Sequence, residues 1–239
     1  MLGLGNTLSG GIVPAAVVSF DNTYSLVFDG SDDYVNLDVV SGTLDGDIGS
    51  LSLWVKLDSV SSAVYAFQAE VDLNNQIKIH YDNHTEQVRM HHKGGGSTTS
   101  VNSSATAIEN NGWHNLTFTW TSSGNVIVAY VDGSSIGTTG CNAFSGTIDT
   151  VRVGTGFSFT AGLYWTGNID EVAIFDDVLT SGEVSTIYNS GAPTDISSHG
   201  GLVGYWRMEE NTGTSVADSS SNSNTATLVN GTAFEADTP

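Results

Sequence analysis

At 239 residues, with 39% hydrophobic and 13% charged residues and 28 glycines against 3 prolines, the chain has the composition of a single domain of short strands and tight polar turns. Its formal net charge of −20, from 26 acidic and 6 basic residues, repels phosphate backbones and anionic lipids. We therefore expect neither a nucleic acid nor a membrane as partner, and the single cysteine, Cys141, excludes an intrachain disulfide.

The glycine-rich residues 1–22 are predicted to be an N-terminal arm. Residues 1–8 carry no basic segment and no apolar core of a secretory signal, and no apolar run in the chain reaches the length of a membrane-spanning helix. We expect a soluble chain made in the cytoplasm without a signal peptide.

Alternating apolar and polar residues then predict about a dozen short strands. In residues 50–57 the apolar side chains of one face are Leu51, Leu53, Val55 and Leu57. Residues 113–121 alternate in the same way. The other predicted strands are 25–28, 34–37, 63–71, 76–81, 86–92, 97–101, 125–131, 147–153 and 167–175.

One helix is predicted after the last of these strands. Thr180 and Glu183 have the spacing of a capping box, in which the threonine caps the helix and the glutamate reaches back to the cap. Val184, Ile187 and Tyr188 form an apolar stripe, and a helix this short needs a sheet to pack on.

Residues 193–239 begin a new pattern, a polar linker followed by two predicted strands at 201–208 and 225–231. Two strands cannot fold alone in water. A disordered tail is the alternative, although its tryptophan and paired apolar residues are unusual for disorder.

Five segments in order resemble the laminin-G-like, concanavalin A-like jelly rolls. They are the opening motif at 25–35, the core strand at 51–57, the Trp-His strand at 113–120, the hairpin at 130–133, and the closing strand and helix at 167–188. The resemblance implies an all-β fold over residues 23–192, a two-sheet antiparallel jelly-roll sandwich with one short helix.

The tail resembles the segment that normally precedes the opening motif of this family. Without that segment the sandwich would have open edges, and orphan strands need a partner. Two arrangements would cover the open edges and also pair the orphan strands. The tail folds back onto its own sandwich as a circular permutation, or it adds strands to a neighbouring subunit of a homo-oligomer.

The resemblance also implies a calcium ion between the opening loop and the closing strand. The matching positions are Asp29, Asp32 and Asp170, and Asp33 and Glu171 are close enough in sequence to compete. Carboxylates on loops are the ligands that calcium prefers, although the same residues are ordinary in turns.

Glycosidases of this fold carry Glu-x-Asp-x-x-Glu on the active strand. Here Glu70 and Asp72 are present, but Asn74 and Asn75 stand where the second catalytic acid is needed. Glycoside hydrolysis requires two carboxyl groups with different protonation. We therefore predict that the protein is not an enzyme.

Two further groups of residues carry side chains that can bind a sugar or a metal. The aromatic residues Phe157, Phe159, Tyr164 and Trp165 cluster in a glycine-rich stretch and are candidate sugar platforms, with core packing as the alternative. His80, His84, His91 and His92 have no metal-ligand spacing and are expected at a solvated hairpin.

Two functions remain at this stage. The first is a structural protein of a virion surface, a decoration, fibre or knob subunit that contacts other virion subunits and forms a homo-oligomer, because phage structural proteins often contain this jelly roll. The second is a calcium-assisted carbohydrate-binding or adhesion module with a glycan partner.

Overall fold

The computed structural model describes residues 20–156 and 163–239, which form a sandwich of two eight-stranded antiparallel sheets. The predicted fold class is confirmed. In chain order the elements are β1 (Ser25–Asp29), β2 (Tyr34–Asn36), a 3-10 helix (Asp38–Val40), β3 (Ile48–Leu57), β4 (Val64–Asp72), β5 (Asn75–Asp82), β6 (Gln87–Gly94), β7 (Ser97–Asn102), β8 (Trp113–Thr121), β9 (Val126–Val131), β10 (Ser134–Thr139), β11 (Thr150–Val153), β12 (Thr166–Phe175), α1 (Ser181–Tyr188), β13 (Leu202–Trp206), β14 (Ser215–Val216), β15 (Ala226–Val229) and β16 (Ala233–Glu235).

The strands divide between the two sheets in an order that mixes the start and the end of the chain. The first sheet has the order β10-β9-β8-β3-β12-β1-β16, with β13 also paired with β12. The second sheet has the order β14-β15-β2-β11-β4-β5-β6-β7. Within the described ranges all strand pairs are antiparallel, as a jelly roll requires.

The core lies between the two sheets and follows the predicted alternation. Leu51, Leu53 and Val55 of β3 are fully buried there. Ile77 and Ile79 of β5 bury the facing side of the second sheet. Because successive side chains of a strand point to opposite faces, the residues between them project away from the core.

Helix α1 covers the outer face of the first sheet. The predicted capping box is confirmed: Thr180 accepts a hydrogen bond from the backbone N–H of Glu183, and the Glu183 carboxylate accepts one from the backbone N–H of Thr180. Val184 and Ile187 are buried in a second apolar cluster with Phe175 and Tyr205. The outer face of the second sheet has no such helix among the described residues.

The tail pairs with strands of its own chain. Strand β13 pairs with β12, β15 pairs with β2, and β16 pairs with β1. Of the two arrangements considered from the sequence, the structure has the fold-back in cis. Residues 202–235 are therefore part of the sandwich rather than an appendage to it.

No helix in the described ranges is both long and apolar enough to cross a membrane.

Candidate functional site

The outer face of the second sheet carries a group of polar and aromatic side chains that we call the polar face. It is formed by residues of β4, β5, β6 and β11 that project away from the core, in alternation with core residues except at the register shift between Tyr65 and Phe67 of β4. Its members are Tyr65, Gln68, Glu70, Gln76, Lys78, His80, Arg89, His91, Lys93 and Arg152.

Strand register aligns the middle of the polar face into one row. Arg152 of β11 lies opposite Gln68 of β4, Gln68 lies opposite Lys78 of β5, and Lys78 lies opposite His91 of β6. Side chains directly opposite one another in an antiparallel pair are in contact range. The row therefore places two cations, an amide and an imidazole side by side across four strands.

Rings stack beside this row. Tyr65 and His80 are nearly parallel, with ring centroids 4.8 Å apart, and His80 lies 4.7 Å from His91. The Lys78 ammonium lies 5.8 Å from the centroid of the Tyr65 ring. An aromatic ring next to hydrogen-bonding groups is the usual composition of a sugar-binding surface.

Several polar atoms of this face are buried without a hydrogen-bond partner in the described part of the chain. They are Nδ1 of His80, Nε2 of His91 and Nε of Arg89. Burial, together with nearby positive charge, lowers the pKa of His80 to about 3 and that of His91 to about 4. Both imidazoles are therefore neutral at pH 7, and each offers one donor and one acceptor nitrogen.

Glu70 is held by two glutamines. Its Oε2 accepts hydrogen bonds from Nε2 of Gln68 at 2.7 Å and from Nε2 of Gln76 at 2.6 Å. Asp72 lies beyond a break in the strand register and is fully exposed, and hydrogen bonds from the backbone N–H of Asn74 and the side chain of Asn75 lower its pKa.

A small pocket opens at one end of the polar face. It has a volume of about 110 Å³ and is lined by Gln76, Lys78, His91, Lys93 and Thr98. Its lining contains two ammonium groups and no carboxylate.

The aromatic residues singled out from the sequence are not brought together on this surface. Phe157 and Phe159 lie outside the described residues. Tyr164 is half-buried. Trp165 is only 1% exposed and packs in the core between the sheets, so its ring offers no surface to a sugar.

The opening loop gathers three carboxylates. Oxygen atoms of Asp29, Asp32 and Asp33 lie within 4.8 Å of one another, and Asp29 and Asp32 are exposed. Asp33 is buried, and this burial, followed by the charges of its neighbours, raises its pKa. The donor type and spacing fit a hard cation such as calcium.

Asp170 is not part of this cluster. Asp29 lies opposite Thr166 in the β1–β12 pair, and Asp170 is four residues further along β12, about 13 Å away at the usual rise of a strand. Its carboxylate is fully buried and accepts a hydrogen bond from Nδ2 of Asn22 at 3.0 Å. Of the competing residues, the structure places Asp33 with Asp29 and Asp32.

Asp170 instead forms a buried acidic pair with Glu171. The two lie at a register shift in β12, between its pairing with β1 and its pairing with β13, and Glu171 has a φ of 50°. Tyr205 donates a hydrogen bond to Glu171, and Arg207 lies 3.5 Å from it. Burial raises the pKa of Asp170, and it raises that of Glu171 to about 8.

The remaining histidines and the cysteine do not join the polar face. His92 points inward and its Nε2 lies 2.7 Å from the carbonyl oxygen of Gly46. Cys141 is buried beside it, and burial raises the pKa of this thiol to about 11. His84 is exposed in the β5–β6 turn. In the described part of the chain, Asp29, Asp32 and Asp33 are the only grouping with metal-ligand spacing.

Sequence reasoning missed the polar face as a site, although a signal was present. Lys78, Arg89 and Lys93 are half of the chain's six basic residues, and they fall on two consecutive strands. The alternation places all three on the same side of the sheet.

A family model described as the concanavalin A-like lectin/glucanases superfamily matches residues 29–185. No curated protein matches the sequence. Among solved structures, a candidate carbohydrate-binding protein from Bacteroides ovatus is similar with a TM-score of 0.65 at 14% identity, over 90% of this chain and 60% of that one. The chain thus spans less than two thirds of the length of that protein.

Two other solved structures are also similar to this chain. The sialidase CBM40 from Ruminococcus gnavus, solved with α2,3-sialyllactose, has a TM-score of 0.58 at 15% identity, over 69% of this chain and 96% of its own. A heptameric SAP-like pentraxin from Limulus polyphemus has a TM-score of 0.55 at 16% identity, over 71% of this chain and 84% of its own. At these identities the likeness is one of fold.

Proposed function

Because the chain belongs to the concanavalin A-like lectin/glucanases superfamily, we propose that it is a non-enzymatic carbohydrate-binding module whose polar face binds the glycan. The carbohydrate-binding modules among similar folds support this choice. The site itself is argued from the side chains of this chain.

The observation that carries the proposal is the set of buried, unpaired atoms on an outward surface. His80 is 9% exposed and its Nδ1 has no partner among the described residues, and the same holds for Nε2 of His91. A buried polar atom without a partner is costly, and a ligand rich in hydroxyl groups would supply the missing partner once the side chains that cover these atoms move aside. The ring of Tyr65, which stacks on His80, lies beside these atoms and would contact the apolar side of a sugar.

Asp72 does not have the protonation that a general acid of hydrolysis needs. A general acid must keep its proton near neutral pH, which requires a raised pKa, whereas the pKa of Asp72 is lowered. Glu70 is fixed by two amide donors. The surface is therefore suited to binding a glycan and not to cleaving it.

Calcium belongs to the proposal as a structural ion. Asp29, Asp32 and Asp33 would hold it, and its charge would offset the repulsion among three neighbouring carboxylates. The loop that carries them joins β1 of the first sheet to β2 of the second. The ion would thus stabilise a connection between the sheets without contacting the glycan on the polar face.

A virion-surface location, contacts with other virion subunits and a homo-oligomer stay predictions from the sequence. The tail was the main reason to expect strand exchange between subunits, and it pairs with its own chain. A glycan-binding module on a virion would satisfy both functions.

The test is a glycan array with neutral and acidic oligosaccharides, followed by calorimetry on each hit. Tyr65→Ala is expected to weaken binding about tenfold or more, since stacked aromatic platforms carry much of such affinity. Tyr188→Ala is the matched control. Tyr188 is also a partly buried tyrosine, but it belongs to α1 and stacks on Trp54 of the other sheet. Equal affinity of wild type and Tyr65→Ala for every hit would overturn the assignment of the polar face.

A further inference from the structure

The few cations of this acidic chain are concentrated on the polar face. The chain has 6 basic residues against 26 acidic ones. Four of the six, Lys78, Arg89, Lys93 and Arg152, project from this one surface. The other two lie elsewhere and are paired, Lys56 with Asp237 and Arg207 with Glu171.

The two lysines of the polar face differ from the arginines in forming no salt bridge. Arg89 forms a salt bridge with Asp82 at 2.8 Å, and Arg152 forms one with Asp38. Among the described residues, neither Lys78 nor Lys93 lies within salt-bridge distance of a carboxylate.

The surroundings of Lys78 compensate its charge only in part. The charged and titratable groups that act on or contact it are Glu70 on β4, His80 on its own strand, and His91 and Lys93 on β6. The Oε2 atom of Glu70 already accepts two hydrogen bonds. Burial lowers the pKa of Lys78, which is the mark of an ammonium group short of solvation.

The pocket between these lysines is built to donate hydrogen bonds. Lys78 and Lys93 contribute ammonium groups, Thr98 a hydroxyl and Gln76 an amide. His91 also lines the pocket. The volume of the pocket, about 110 Å³, is sufficient for one small acidic group.

We propose that this pocket binds the acidic group, a carboxylate or a sulfate, of the glycan held on the polar face, so that the module selects acidic polysaccharides. This inference rests on the proposed function. A neutral sugar would leave both ammonium groups without a salt-bridge partner, whereas an acidic one supplies that partner through charge-assisted hydrogen bonds. The net charge of −20 repels dense polyanions such as nucleic acid, so a ligand with spaced single charges fits better.

The first experiment compares three oligosaccharides with the same backbone, one neutral, one carboxylated and one sulfated, by calorimetry on the full chain. An acidic form is expected to bind about tenfold tighter or more than the neutral one. Lys78→Gln should bind the acidic and the neutral forms with equal affinity. Lys56→Gln, which alters net charge equally on the other sheet, should retain it.

The second experiment uses sodium sulfate alone, against sodium chloride at equal ionic strength, and follows the ring resonances of His91 by NMR. Saturable shifts in the wild type and in Lys56→Gln, but not in Lys78→Gln, support the acidic pocket. Saturable sulfate binding with no glycan bound at all supports the pocket and overturns the proposed function. Equal affinity for the neutral and acidic sugars, with no saturation by sulfate, overturns the pocket and leaves the glycan-binding function standing.

Discussion

Leu26 of β1 lies opposite Phe234 of β16, so the first and last described strands of the chain are hydrogen-bonded neighbours in one sheet. In the other sheet, Leu228 of β15 lies opposite Val35 of β2. The tail thus covers one edge of β1 and one edge of β2, and both sheets depend on it for closure.

Trp206 of the tail is expected to contribute as much to the free energy of unfolding as a residue in the middle of the core. It is fully buried, and its Nε1 donates a hydrogen bond to the carbonyl oxygen of Asn224 at 2.7 Å. Trp206→Ala should lower the free energy of unfolding by roughly 3–5 kcal/mol in urea denaturation. The exposed tail residue Ser215 gives the control, since Ser215→Ala should change it by less than about 0.5 kcal/mol. A similar small change for both variants would mean that the tail contributes little.

Deletion of residues 226–239 should expose the edges of β1 and β2. Unpaired edges associate with other chains, so the shortened protein is expected to melt at a lower temperature and to form larger species as its concentration rises. Light scattering and thermal melting measure both effects. A monodisperse product with the wild-type melting temperature would contradict the closing role of the tail.

Local patterns predicted the elements of this fold well, because they depend on neighbours in sequence. The alternation in residues 50–57 places Leu51 and Leu53 in the core, and the spacing of Thr180 and Glu183 forms both hydrogen bonds of the capping box. The route of the tail could not be decided in this way. Whether its strands pair in cis depends on which sheet edges are open after folding, and a short segment of sequence does not show which edges these are.

The sites depended on register, which the sequence leaves open. The family resemblance groups Asp170 with Asp29, but β12 is ten residues long and only its Thr166 end lies opposite Asp29. The polar face was missed for a related reason. Alternation shows that Lys78 and His91 leave the core, but only the pairing of β5 with β6 puts them opposite each other.

Calcium should bind the opening loop if its three carboxylates form the proposed site. Calorimetric titration of chelator-treated protein is expected to show binding that the double variant Asp29→Asn, Asp32→Asn weakens strongly, since neutral amides replace two charged ligands. Asp176→Asn is the control, because Asp176 is exposed beyond the opposite end of β12. Calcium should also raise the melting temperature of the wild type by mass action. Heat of binding that is equal in all three proteins would place the ion elsewhere.

The imidazoles of the polar face should titrate far below the usual range of histidine. Their pKa values, about 3 for His80 and about 4 for His91, follow from burial first and then from neighbouring positive charges that include Lys78. NMR titration should find both rings neutral from pH 7 down to about 5. Lys78→Gln should move both midpoints upward, because it removes one of the repelling charges. Midpoints near 6.5 in the wild type would mean that the polar face is open to water.

The buried acid Glu171 should make the protein less stable as the pH rises above neutrality. Its pKa in the folded chain, about 8, lies above the unfolded value of 4.5, so its contribution is fully present below pH 4.5 and is lost as the pH rises through 8. Between pH 6.5 and 8, measured with a chelator present, the free energy of unfolding should fall by up to about 1.4 kcal/mol per pH unit. Below pH 6.5 His80 and His91 act in the opposite direction, because their pKa values are lowered on folding. Glu171→Gln should flatten the slope of stability against pH between pH 6.5 and 8. The control Glu183→Gln should lower stability without changing this slope, since the pKa of Glu183 is already below 4.5. An unchanged slope in Glu171→Gln would assign the effect to another group, with the adjacent Asp170, whose pKa is also raised, as the next to be replaced.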